Sequence, residues 1–226
     1  LLQIKGLLLS ALAGGMIAWA GAGSATVLAQ YTFDGGSAAP TVSAGGIGVT
    51  AADFNDWIGG TTSPGFSASP EAAFARTNAT NTASPPTETL ADALSSNNYL
   101  SFNLNYIGNA FSVSQIDYTH YVTGASGTYT SYLFTSATGF SSGNQLATIA
   151  LNNVTTSGSI ALDVSGISAL QGLTSSLEVR IYLSDSTNSN GEVHFLDNIT
   201  VSAVPEPASL VLLLTGGVFL MRRQRA

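Results

Sequence analysis

From Tyr99 onward the chain alternates, and alternation of this kind leaves few folds open. Leu100, Phe102, Leu104 and Tyr106 are interleaved with Ser101, Asn103 and Asn105, the period-two signature of a strand with one buried face and one wet face. Ile116, Tyr118, His120 and Val122 repeat the pattern against Asp117, Thr119 and Tyr121, up to a turn within 124–127. Further strands are predicted over 129–135, 146–151 and 159–164. Leu177, Val179, Ile181 and Leu183 then alternate with Glu178, Arg180 and Tyr182, and a last strand is predicted over 192–203. Short strands at this spacing predict an all-β protein, an antiparallel β-sandwich. Its expected inward side chains are Leu100, Phe102, Leu104, Val179, Ile181, Leu183, Ile199 and Val201.

The first half is less regular. Tyr31-Thr32-Phe33 reads as an opening strand, expected beside the last one. Residues 71–76 and 88–94 read as short helical turns, and 61–86, with Pro64, Pro70, Pro85 and Pro86, as loop. No internal repeat or second domain is evident.

The two ends have a different character. Lys5 precedes an apolar stretch from Leu7 to Ala20 and then small residues, the pattern of a secretory signal peptide helix. Val27-Leu28-Ala29 is the expected cleavage site, before Gln30, with Gly23-Ser24-Ala25 as a competing site. At the other end Pro205-Glu206-Pro207 precedes an apolar run from Ala208 to Met221, followed by Arg222, Arg223 and Arg225. As a helix that run is roughly 21 Å long, short of the ~20 residues of an ordinary span. The basic cluster behind it fits the positive-inside rule, and Val204 with the prolines extends its outer side, so a transmembrane helix is expected. The chain thus divides into a signal peptide (1–29), a sandwich domain (30–203) and a tail (204–226).

The order of parts in that tail, Pro205-Glu206-Pro207, then a Leu-rich segment holding Gly216-Gly217, then Arg222, Arg223 and Arg225, resembles the PEP-CTERM sorting signal of Gram-negative bacteria that make extracellular polysaccharide. The resemblance implies processing at or near Pro205-Glu206-Pro207 by a membrane-embedded cysteine protease, exosortase. It also implies orientation by the three arginines, a transient stay in the inner membrane, and delivery to the cell surface or the extracellular matrix. Signal peptidase and exosortase are the expected processing partners. In the body, Tyr31-Thr32-Phe33-Asp34, Asn98-Tyr99-Leu100-Ser101-Phe102, Thr138-Gly139-Phe140, Val179-Arg180-Ile181-Tyr182 and Phe195-Leu196-Asp197-Asn198-Ile199-Thr200-Val201 are similar to the jelly-roll domains of PEP-CTERM surface proteins. In outline they are also similar to carbohydrate-binding jelly rolls, whose last strand often carries an Asp-Asn pair.

Composition excludes several functions. Between residues 30 and 203 twelve carboxylates face only Arg76 and Arg180, a net charge of about −10 without one lysine. Nucleic acid therefore finds no electrostatic footprint. Cysteine is absent, which removes disulfides, thiolate metal sites and cysteine nucleophiles. The two histidines, His120 and His194, sit in alternating strands and not at ligand spacing. The one Gly-x-Ser-x-Gly match, Gly139-Phe140-Ser141-Ser142-Gly143, lies between two predicted strands and not at the strand-to-helix turn of a nucleophile elbow. Acid pairs among Asp53, Asp56, Asp117 and Glu178 carry no sequence signature of glycoside hydrolysis. The chain is read as noncatalytic.

One conflict remains in the last strand. Val193, Phe195, Ile199 and Val201 share a parity, and Asp197 has the same one, so an unbroken strand would aim a carboxylate at the core. Burying an unpaired carboxylate is prohibitive. Either a bulge turns Asp197 outward, or backbone donors satisfy it, or it ligates a structural calcium with Asp34 as second carboxylate. Two function classes follow. The first is an exported surface or matrix protein associated with exopolysaccharide in a biofilm. The alternative is a lectin-like carbohydrate-binding module in which rings such as Trp57, Tyr121 or Tyr132 stack on sugars.

Overall fold

Strands form where the alternation predicts them, and several more form where it is silent. The computed structural model describes residues 25–34, 37–43, 48–58, 72–75, 89–95, 99–123, 128–152, 157–185 and 193–203. Apart from Ala25 these belong to one compact unit, Thr26–Ala203. In chain order its elements are β1 (Thr26–Tyr31), β2 (Val42–Ser43), β3 (Val49–Ala51), β4 (Asn55–Ile58), β5 (Ala72–Ala75), α1 (Leu90–Ser95), β6 (Tyr99–Tyr106), β7 (Gln115–Thr123), β8 (Thr128–Thr135), β9 (Ala147–Asn152), β10 (Ser157–Asp163), β11 (Leu177–Asp185) and β12 (Val193–Ala203).

Two sheets result. Sheet A has the order β10-β7-β12-β1-β2 with β5 also beside β12, and sheet B the order β3-β6-β11-β8-β9 with β4 also beside β6. Every one of these pairings is antiparallel. With the short strands β2 to β5 set aside, β10-β7-β12-β1 faces β6-β11-β8-β9, and the chain changes sheet at each step from β6 to β12 except at β8–β9. This is a jelly-roll-like β-sandwich.

The core lies between the sheets because each strand turns its apolar parity inward. All eight side chains expected there are buried, none more than 2% exposed. Tyr31 of sheet A and Phe102 of sheet B meet with ring centroids 4.9 Å apart, and Phe54 stands 5.6 Å from Tyr31 and 5.1 Å from Phe33. This aromatic knot ties the two sheets. It also holds Phe33 at φ 54°, a left-handed conformation that bulky residues rarely adopt. The Tyr31 hydroxyl donates to the Ala52 carbonyl, and burial together with the nearby Asp53 charge raises its pKa. At one sandwich edge Gly158 of β10 meets β9 so closely that a Cβ would stand 2.5 Å from Ile149 Cγ2. Only glycine closes that edge without displacing a β-branched side chain.

Three expectations are corrected. The opening strand is Thr26–Tyr31, not Tyr31–Phe33, although it does lie beside the last strand as expected. The helical turn expected over 71–76 contains the strand β5 instead, because backbone pairing of 72–75 with 193–196 outweighs the helix propensity of its alanines. The parity assigned to the last strand fails at Asn198, where φ is 52° and the register against β7 shifts between Asp197 and Thr200. Upstream of that bulge Leu196 faces the core; downstream Ile199 and Val201 do. The helical turn over 88–94 is present as α1.

The signal peptide core, the processing motif Pro205, Glu206 and Pro207, the apolar run and Arg222, Arg223 and Arg225 lie outside the described residues. Among the described residues no helix is long and apolar enough to cross a membrane.

Candidate functional site

The outer faces of the two sheets are built differently. Sheet B is covered. Leu90, Ala93 and Leu94 of α1 and Phe140 of the loop after β8 pack with Tyr99, Phe134, Tyr182 and Tyr132 into a second hydrophobic cluster. The helix is started by a capping box: the Asp92 N–H donates to Thr89 Oγ1 at 3.2 Å, and the Thr89 N–H donates back to Asp92 Oδ2 at 3.2 Å. Arg180 lies between the Tyr99 and Phe140 rings, its guanidinium carbon 3.9 and 3.8 Å from their centroids. Its Nε and NH2 donate to the two carboxylate oxygens of Glu178 at 2.8 and 2.9 Å. Burial opposes its charge, but the hydrogen bonds from Arg180 to Glu178 and Tyr182 outweigh burial and raise its pKa. Arg180 is thus a fastener for the cover. Tyr132, one of the candidate stacking rings, is half-buried against this cluster, and its oxygen accepts from Ser184 Oγ at 3.3 Å. The Trp57 side chain lies outside the described residues.

Sheet A carries a different face. Directly opposed residues share a face, so the register of β10, β7, β12 and β1 fixes the rows. Ser157, Tyr121 and Phe195 form the first row, and Ser159, Thr119 and Asp197 the second. Ala161, Asp117, Thr200 and Gln30 form the third, and Asp163, Gln115 and Ser202 the fourth. Tyr121 and Phe195 are both half-buried and pack against each other at 5.3 Å with their planes tilted by 46°. The polar rows below them are pre-ordered. Thr119 and Ser159 share a hydrogen bond of 2.9 Å, and Gln115 Nε2 donates to both oxygens of Asp117 at 2.8 and 2.9 Å.

The bulge builds this face. By turning Asn198 into the left-handed region, where asparagine is tolerated, it rotates Phe195 and Asp197 outward and leaves Leu196 inside. Asp197 Oδ1 accepts the Asn198 N–H at 2.7 Å and Oδ2 accepts Asn198 Nδ2 at 2.7 Å. Two of the three alternatives for Asp197 therefore hold together, the bulge and the backbone donor. For calcium the donor set is thin: Asp34 is exposed, and among the described residues no group of three or more acidic or histidine side chains gathers for a metal. Phe195 is the site residue that the alternation misplaces. The Asp197-Asn198 pair within a β-rich run was the signal that could have found it.

The histidine on β7 is structural. His120 is wholly buried beneath the face, between Tyr118 and Val122 on the inward parity, and burial pushes its pKa down to about 4. It is thereby neutral at neutral pH. Tyr118 shares a 3.0 Å hydrogen bond with Ser131 of the opposite sheet, and burial, eased slightly by that bond, pushes its pKa up to about 12.

No protein-family model and no curated protein matches the chain. Among solved structures it is similar to the carbohydrate-binding module TmCBM61, solved in complex with β-1,4-galactotriose, at 14% identity, over 46% of this chain and 63% of that one, with a TM-score of 0.27. It is similar to the K3 adhesin domain of Lys-gingipain from Porphyromonas gingivalis at 15% identity, over 79% and 98% of the two chains, with a TM-score of 0.39. It is also similar to the family 11 carbohydrate-binding module of the Clostridium thermocellum cellulase Lic26A-Cel5E at 9% identity, over 80% and 98%, with a TM-score of 0.29.

Proposed function

We propose that the domain is an exported, noncatalytic carbohydrate-binding sandwich that takes a neutral polysaccharide on the outer face of sheet A. The observation that carries the reading is the half-buried Tyr121–Phe195 pair at the head of rows of hydroxyl, amide and carboxylate groups. Sugars present apolar C–H faces and a rim of hydroxyls, so they need an aromatic platform with hydrogen-bonding partners beside it. Asp117, Asp163 and Asp197 lie on the face, whereas Arg180, the only Lys or Arg among the described residues, fastens the far side. That charge pattern repels uronate-rich or sulfated chains and favours neutral ones.

The leader and the tail supply the route. Signal peptidase removes the first, exosortase acts at Pro205-Glu206-Pro207, and Arg222, Arg223 and Arg225 hold the tail in the inner membrane until then. The end state is a surface or matrix protein associated with exopolysaccharide.

The binding reading is tested by calorimetry or affinity electrophoresis with soluble neutral polysaccharides, with a polyuronate as control. Tyr121→Ala and Phe195→Ala should each weaken binding about tenfold, the equivalent of about 1.4 kcal/mol. A double variant that binds like the parent, or a parent that prefers the polyuronate, would sink it. The sorting reading fails if surface material from a host with active exosortase retains residues 208–226.

A further inference from the structure

We infer that the leader is removed between Ala25 and Thr26, four residues upstream of the site that the residues around Ala29 suggest; the inference rests on the signal-peptide reading. Two sites satisfy the preference for small side chains, Gly23-Ser24-Ala25 and Val27-Leu28-Ala29. The sheet separates them.

β1 begins at Thr26, and its register runs Thr26 against Ala203, Val27 against Ser202 and, after a bulge at Leu28, Ala29 against Val201. Leu28 and Ala29 are both fully buried in the main core. Ala29 is moreover an interior residue of sheet A, opposed by Val201 on one side and by Ser43 of β2 on the other. A mature chain starting at Gln30 would keep only Gln30 and Tyr31 of the strand. It would leave β12 without its neighbour along 201–203 and open a void where Leu28 sat. A cut after Ala25 leaves the strand whole and falls at the boundary of the compact unit, Thr26–Ala203. The other end follows the same pattern: β12 finishes at Ala203, and Pro205, which lacks an N–H for a ladder, comes two residues later.

The test is the N-terminal peptide of the full chain after export in a bacterial host, read by mass spectrometry. The expected peptide begins Thr26-Val27-Leu28, and Ala25→Arg should abolish it. A peptide beginning at Gln30 would overturn the assignment and leave the leader reading standing. A mature form that still carries Leu7 to Ala20 would overturn both. As an independent measure, a form beginning at Thr26 should melt well above one beginning at Gln30, and equal melting temperatures would count against the assignment.

Discussion

The two outer faces of this sandwich start from the same kind of strand and end with opposite surfaces. On sheet B the outward residues Tyr99, Phe134 and Tyr182 are large and apolar, and a short capped helix and a loop close over them with Arg180 as the fastener. On sheet A the outward residues include Thr119, Asp117, Gln115, Thr200 and Ser159, with the Tyr121–Phe195 pair beside them. A strand buried on both faces contributes stability, whereas a strand with one polar face keeps that face available. Among the described residues, the sheet without a cover is the one that carries the polar rows and the face proposed for binding.

The largest effect that sharpens this contrast is expected at Phe134, which is fully buried under the cover. Phe134→Ala should cost about 3–5 kcal/mol in denaturant unfolding, as for other buried aromatic truncations. A loss below about 1 kcal/mol would mean that the cover of sheet B is not part of the folded core.

Next in size is the response to acid. His120 is buried with its pKa lowered by burial to about 4, while in the unfolded chain it titrates near the ordinary value of about 6.5. Above that value both states are neutral and stability is independent of this group. As pH falls from about 6.5 toward 4 the unfolded state takes up the proton first, so stability is progressively lost, on the order of 3 kcal/mol in all. His120→Gln should flatten that window in a pH series of melts. An unchanged slope in the variant would place the acid sensitivity elsewhere, in the carboxylates.

On the open face the expected stability costs are small. Tyr121→Ala and Phe195→Ala should each lower stability by about 1 kcal/mol or less, because the rings are half-buried and pack against each other. Their effect should appear in binding instead, and a cost as large as that at Phe134 would erase the contrast between the faces. A cost of similar size is expected at Asp197, which orders the left-handed Asn198 through two hydrogen bonds. Asp197→Ala should cost about 0.5–1.5 kcal/mol. Parent melts should agree with calcium and with chelator; a calcium-dependent rise lost in Asp197→Ala would place the ion at that strand.

The long strands were legible in the sequence because each runs through several periods of two. β6, β7, β11 and β12 hold eight to eleven residues each, and their inward side chains are the ones the alternation selects except upstream of the bulge in β12. β2, β3, β4 and β5 have two to four residues each, too few to show a period, and exist only because a longer strand offers an edge. The same limit applies to the cover. Nothing local to Phe134 and Thr135, which are adjacent and both buried, says that both faces of β8 are occupied; that depends on a helix some forty residues earlier. The site was half legible: Tyr121 was a candidate ring, Tyr132 belongs to the cover, and Phe195 was hidden by a single left-handed residue that exchanges the faces of the strand.

The register that pairs Thr26 with Ala203 has a mechanical consequence. The ends of the domain leave sheet A side by side at the same end of two neighbouring antiparallel strands, so a pull between them opens the ladder one hydrogen-bonded pair at a time, the weak direction. A pull between Ala203 and a chain held at Phe195 is another matter. Both points lie on β12, roughly 25 Å apart at the usual rise per residue. That strand has β7 along one side and β5 and β1 along the other. Tension along it would load both ladders in shear and share the force among all their bonds at once. A domain held by its tail and gripping a polymer with its open face would be stressed along its strongest axis.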